Sequence, residues 1–239
     1  MLYSVFQSIA NGQGISMATV IAQLLASLFV VFLILPFHEF AHGWAANKLG
    51  DPTAKYAGRL TLNPLASFDA IGTLGILLFG IGWAKPVPVN PRNFKNPKKD
   101  MALTAFAGPL ANLLASLISG ILLNVVLLAS GGSVTFGTYV PSAVVTFFIN
   151  FFLYCMTINI SLAVFNLLPI PPLDGSRIIG IFLSSQAAEI YYRYENIIMW
   201  IFMIVVFFGG FNGILYPLQR LFAEGIMHLA NLPFLAFGL

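Results

Sequence analysis

Met17 to Phe37 form an uncharged apolar run, and the chain then presents His38, Glu39 and His42 in the string HEFAH. A helix needs about 20 apolar residues to cross a bilayer, so these three side chains stand at or near membrane depth. Ionisable groups are costly there and mark function. On a helix, positions i and i+4 share a face, so both imidazoles can grip one metal ion. Glu39 between them is placed to act as general base on a water held by that ion. With three histidines and four glutamates in 239 residues, chance assembles H-E-x-x-H in roughly one chain in a thousand. The alternative is a helix end whose polar residues snorkel to the interface or cap the helix. A catalytic zinc still needs a third protein ligand.

The chain is 59% hydrophobic and 8% charged, with mean hydropathy +0.89. No soluble domain of this size has that composition. The expected class is an all-α polytopic membrane protein with about 4–6 transmembrane helices, in one integral-membrane domain over residues 1–239. Residues 1–16 carry no charge, so a cleaved signal peptide with its basic start is not expected. Cys155 is the only cysteine, which excludes an internal disulfide and a cysteine-based metal site. A net charge of +3 is too small and too scattered for nucleic-acid binding and reads as topology instead.

The first helix is expected over Met17–Leu49, ended by Gly50-Asp51-Pro52. Ala57–Leu65, containing GRLTLNPL, alternates and is bounded by glycine and proline, the pattern of a short strand. Ile71–Ala84 is apolar but too short to span, and reads as a re-entrant or interfacial segment. Lys85–Asp100 is a polar, proline-rich loop. Further spans are expected over Met101–Ala129, Ala143–Leu168 and Ile197–Leu218, with an uncharged connection over Gly131–Ser142. Leu173–Gln186 reads as a shorter helix, Ala187–Asn196 as a polar link, and 219–239 as an interfacial or further membrane segment.

Proline-rich backbone within a membrane segment is tolerated where it lines a cavity or is buried in protein. NLLPIPPLDG at 166–175 places such a break beside Asp174. Two histidines and one carboxylate complete a three-ligand catalytic zinc site with one position left open. Asp174 on its own would read as a helix N-cap after a proline turn; HEFAH in the same chain favours the ligand.

HEFAH in an apolar helix, AGPLAN at 107–112 and NLLPIPPLDG at 166–175 together resemble the site-2 proteases, the intramembrane zinc metalloproteases. The resemblance covers about residues 20–215, and the ordered pair of HExxH and N-x₇-D-G is its most specific part. It implies one zinc ion held by His38, His42 and Asp174, Glu39 as base, and Asn166 near the scissile carbonyl. It also implies that the substrate is a transmembrane helix of another protein, cut inside or at the edge of the lipid bilayer. Many members carry a PDZ or CBS domain; this chain has room for neither and is similar to the minimal members. Relatives of that group often have a histidine where NPLASFD has Ser67.

Around this core, Gly108, Pro109 and Asn112 read as helix-packing residues, and His228 as an interfacial polar residue. Asp69 reads as a turn or cap, with orientation of a ligand histidine as its alternative. GRLTLNPL offers either a strand edge for an unwound substrate or an ordinary interfacial hairpin. Two other functions compete with proteolysis: a membrane zinc transporter or channel, and an inactive relative that binds helices. The few further intramembrane ionisable residues weigh against the first, and Glu39 against the second.

Lys85, Arg92, Lys95, Lys98 and Lys99 share one loop, whereas residues 1–16 carry no charge. By the positive-inside rule the 85–100 loop is cytoplasmic, the N-terminus is outside, and HEFAH lies toward the cytoplasmic side of the cell membrane. A cysteine placed in 85–100 is therefore expected to react with an impermeant reagent only from the cytoplasm, and one at Gly132 only from outside. The reverse labelling pattern would overturn the orientation.

Overall fold

The computed structural model describes residues 17–79, 84–131 and 142–235. Its helices run in the order α1 (Met17–Lys48), α2 (Thr53–Tyr56), α3 (Pro64–Ser67), α4 (Ala70–Phe79) and α5 (Pro97–Ala129), then α6 (Ala143–Asn166), α7 (Asp174–Ile179), α8 (Ser185–Arg193), α9 (Glu195–Phe207) and α10 (Asn212–Leu235). Three of them, α1, α5 and α6, are long and apolar enough to cross a membrane. The described residues are those of an all-α polytopic membrane protein. The span expected over 197–218 is divided by the turn at Gly209-Gly210, where Gly209 has φ of 76°, a backbone conformation suited to glycine. It leaves α9 only 13 residues long, short of the roughly 20 that cross a bilayer. The N-terminal sixteen residues and most of the 131–142 connection lie outside the described residues.

The long helix α5 shows how the bundle is built. Thr104, Gly108, Asn112, Ser116, Gly120 and Asn124 recur at every fourth position, and all are buried. Phe106, Leu110, Leu114, Ile118 and Leu122 follow the same period and are exposed. Small and polar groups face inward and bulky apolar groups face outward. That is the arrangement of a helix in lipid, where small residues let backbones approach and polar groups find partners only inside the bundle. Val30 and Ile34 of α1 meet Ala115 of α5 beside Ile158 and Leu162 of α6. On the other side, Met156, Ile160 and Val164 of α6 enclose Ile226 of α10. Asn124 Nδ2 donates to Ala230 O (3.1 Å) and Asn231 Oδ1 (2.8 Å), tying α10 to α5.

Within α1, Val30–Ile34 form one π-helical turn, in which Leu35 N–H bonds to Val30 O five residues back. Pro36 follows directly. It has no N–H and its ring crowds the preceding turn, so a widened turn accommodates it just before HEFAH.

The stretch 57–65 does not form a strand, and no strand occurs among the described residues. Asn63 Oδ1 accepts from Leu65 N (3.1 Å) and Pro64 takes the first helical position of α3. The asparagine cap and N1 proline are a helix-start signal that overrides the short alternation. The expected short apolar segment is the ten-residue α4, whose N-terminus is capped by Asp69 Oδ1 on Gly72 N (2.7 Å); residues 80–83 lie outside the described part. Two other boundaries differ. α7 has only six residues, and the link expected over 187–196 contains α8, whose N-cap Ser184 Oγ accepts from Ala187 N (3.2 Å).

Residues 84–90 run without regular secondary structure past the end of α1, and Pro91–Asn93 form one 3₁₀ turn. Lys85 N donates to Ser67 O (3.0 Å), Arg59 to Lys85 O (2.7 Å), and Asn90 N to Asp51 Oδ2 (2.7 Å). Asp51 is fully buried. Burial pushes its carboxyl pKa up, but hydrogen bonds from Thr53, Asn93 and Asn90 outweigh burial and hold it below the usual carboxylate value. Its stabilising effect is therefore present above the unfolded-state pKa of about 3.9 and is lost as pH falls through the lower folded value.

The Asn124 tie has a measurable consequence. Asn124→Ala is expected to lower unfolding stability in micelles by about 1 kcal/mol, the scale of an interhelical hydrogen bond in a membrane protein. An unchanged denaturant midpoint would show that the contact does not hold α10 to the bundle.

Candidate metal centre

His38 and His42 lie one turn apart near the end of α1, and both are buried. Asp174 is the first residue of α7, which the turn after α6 swings back toward α1. Leu173, not Asp174, occupies the cap position, so the carboxylate is not spent on its own helix. Gly175 allows the return: a Cβ there would lie 2.3 Å from Leu167 O and 2.4 Å from Leu168 O.

These elements bring three ligand atoms together. His38 Nε2 is 3.0 Å from His42 Nε2, His38 Nε2 is 3.4 Å from Asp174 Oδ2, and His42 Nε2 is 3.3 Å from Asp174 Oδ1. A tetrahedral zinc with bonds of about 2.05 Å sets ligand–ligand edges of about 3.3 Å. The observed separations, one to each carboxylate oxygen, have that size.

The outer ring nitrogens explain why the inner ones face each other bare. His42 Nδ1 donates to Thr104 O (2.7 Å), and a carbonyl can only accept. His38 Nδ1 donates to Asn112 Oδ1 (3.3 Å). With both Nδ1 atoms protonated, each Nε2 of a neutral imidazole carries a lone pair. Two lone pairs and a carboxylate then converge with no proton among them, and Asp174 Oδ2 is buried without a hydrogen-bond donor. A metal ion satisfies such a set, and the donors fit zinc. Among the described residues this is the one His/Cys/Asp/Glu cluster that could hold a metal ion.

Gly108 provides the room for it. A Cβ at that position would lie 2.3 Å from His42 Nε2 and 2.5 Å from His38 Cε1. The α5 backbone therefore passes directly against both imidazoles, and only glycine permits the approach. Glu39 is half-buried on the same helix, with Oε2 accepting from Val87 N (2.7 Å).

The sequence-derived residues divide accordingly. His38, His42 and Asp174 converge. Asn166 ends α6 with its amide donating to Leu162 O (3.0 Å) in its own helix, and it makes no hydrogen bond to the three ligands. Asp69 caps α4 and does not orient a histidine; Asn112 and the Thr104 carbonyl do. Asn112, expected only to pack, was the missed residue. The signal was present in the i+4 stripe of α5, which puts Asn112 in line with Gly108 and Thr104. His228 is exposed on α10.

The sequence model of Peptidase family M50 matches residues 26–209. The chain is 39% identical over 208 residues to "Putative zinc metalloprotease YwhC" of Bacillus subtilis (strain 168), a match covering 84% of this chain and 89% of that protein. It is 29% identical over 178 residues to "Putative zinc metalloprotease Rip2" of Mycolicibacterium smegmatis, covering 72% of this chain and 61% of that one. No solved structure matches the chain significantly.

His38→Ala, His42→Ala and Asp174→Ala are each expected to cut bound zinc from one per chain to below half, measured by atomic emission on purified protein. Gly108→Ala is expected to do the same without removing any ligand. Full zinc retention in Asp174→Ala would exclude that carboxylate as a ligand.

Proposed function

The chain belongs to peptidase family M50, the site-2 proteases, and on that premise we propose that this zinc metalloprotease cleaves the transmembrane helices of other membrane proteins within or at the edge of the bilayer. The observation that carries the reading is a His-His-Asp set, its two histidines buried near the end of a membrane-length helix, in a bundle whose outer face is apolar.

Held by His38, His42 and Asp174, zinc supplies Lewis acidity, which activates a water and polarises the scissile carbonyl. Glu39 is the base. Val87 N–H holds its Oε2, and Oε1 takes a proton from the attacking water and passes it to the leaving amine. Asn112 and Thr104 keep the imidazoles in the tautomer the site needs. Asn166 is proposed to donate to the carbonyl oxygen of the substrate. To do so it must exchange its bond to Leu162 O for one to the substrate, and losing such a donor typically costs about 10²–10³ in rate.

A substrate helix hides its carbonyls in internal hydrogen bonds, and lipid offers no replacement. Local unwinding must therefore precede attack. The basic loop lies against the site: Val87 N–H of that loop donates to Glu39 Oε2. With that loop cytoplasmic, the multi-pass protein presents its active site toward the cytoplasmic side of the cell membrane. The competing transporter reading lacks a relay: the described residues contain no second group able to hold a metal.

Purified enzyme is expected to cleave matched helical substrates at rates that follow helix strength near the cut. Gly weakens a helix by about 1 kcal/mol relative to Ala, and each 1.4 kcal/mol is roughly tenfold in an opening equilibrium. A Gly pair added to a poor substrate should speed cleavage several-fold. Glu39→Gln should abolish cleavage with zinc still bound. Rates indifferent to helix breakers would defeat the unwinding step, and cleavage by Glu39→Gln would remove Glu39 as base.

A further inference from the structure

We propose that Asp51 is a positioning residue for Glu39, acting through the strap Lys85–Asn93. The inference rests on the reading of Glu39 as the general base.

Three observations carry it. First, Asp51 is fixed to the helix that bears Glu39: its N–H bonds to Ala46 O (2.9 Å), and it follows the turn at Gly50, whose φ is 109°. Second, its carboxylate, 0% exposed, serves the strap from both oxygens. Oδ2 accepts from Asn90 N (2.7 Å) and Oδ1 from Asn93 Nδ2 (2.7 Å). Thr53 N (3.1 Å) and Thr53 Oγ1 also donate to Oδ1 and orient the group. Third, the strap delivers one contact to the site, Val87 N–H on Glu39 Oε2 at 2.7 Å.

The strap has no ladder of its own to hold it straight. Pro86, Pro88 and Pro91 remove three backbone donors. Val87 packs its side chain against α1 at Gly43, and hydrogen bonds anchor the strap on either side of it: Lys85, bonded to Ser67 O and Arg59, and Asn90 with Asn93, bonded to Asp51. Remove the second anchor and the backbone at Val87 is hydrogen-bonded in place from one side. Its N–H then samples positions off Glu39, and the carboxylate is free to leave the water it must deprotonate. Misplacement of a reacting group by about 1 Å can cost about 10²-fold. Asp51 touches neither metal ligands nor Glu39, so it changes the rate of the chemical step and not the affinity for zinc.

The test uses the full chain in detergent with a helical substrate. Asp51→Ala is expected to lower kcat about tenfold, with KM within about twofold of wild type and zinc stoichiometry unchanged. Amide exchange followed by mass spectrometry should quicken over 85–93 and stay unchanged over 100–129. Asp51→Asn, which keeps one acceptor oxygen, should fall between Asp51→Ala and wild type. If Asp51→Ala does not accumulate folded, Asn93→Ala removes one donor from the same carboxylate and should give a smaller fall in kcat of the same kind. Unchanged kcat in whichever variant folds would overturn the proposal, as would a loss that tracks lost zinc or a change in KM alone. Cleavage by Glu39→Gln would instead show that the premise about Glu39 is wrong, an outcome that does not involve Asp51.

Discussion

Two imidazole nitrogens and a carboxylate meet at 3.0–3.4 Å, and the rest of the structure is arranged around that juxtaposition. Left without a cation it is repulsive: three electron-rich atoms share a site removed from water. Holding it together requires that each imidazole be pinned from behind, which Thr104 O and Asn112 Oδ1 do from α5. It also requires that α5 come within touching distance of α1, which Gly108 permits. The third arm must come from a distant part of the chain, and the Pro-rich turn with Gly175 brings it. A metal ion turns the same repulsion into the binding energy of the site, the coupling between metal and fold expected of such centres.

The α5 helix serves two purposes with one periodicity. Its i+4 stripe of small and polar residues lies against α1 at the metal end and against α10 at the other, where Gly120 sits beside Ala230 and Asn124 bonds to α10. Its opposite stripe is apolar and exposed. In lipid, close packing and a few internal polar contacts replace the hydrophobic effect as the means of joining helices. The stripe that assembles the bundle therefore also aims Asn112 and Thr104 at the histidines.

The three residues expected as metal ligands converge, and a local rule was enough to pick them out. HEFAH needs only helical spacing to place two imidazoles on one face, and a carboxylate beside an intramembrane proline break invites a ligand role. Sequence reading erred where local signals competed. The alternation in 57–65 suggested a strand, but Asn63-Pro64 starts a helix. The apolar stretch 197–218 suggested a span, but Gly209-Gly210 divides it. Asp69 caps a helix, as its preferred reading had it, whereas Asn112, expected only to pack, holds a histidine. Nothing local to either residue distinguishes a cap from a histidine partner.

The membrane class, the catalytic string and the family resemblance are properties of the sequence by itself, because composition and short-range spacing decide them. The closing of the triangle, the tautomers of His38 and His42, and the strap that puts Val87 against Glu39 were decided by tertiary structure alone. Each depends on a partner far away in the chain: Asp174 for His38, Thr104 for His42, Val87 for Glu39 and Asn90 for Asp51. Three of those partners, Val87, Thr104 and Asn90, contribute backbone atoms. A backbone N–H or carbonyl leaves no mark in the sequence, and only the packing of one helix against another shows where it points.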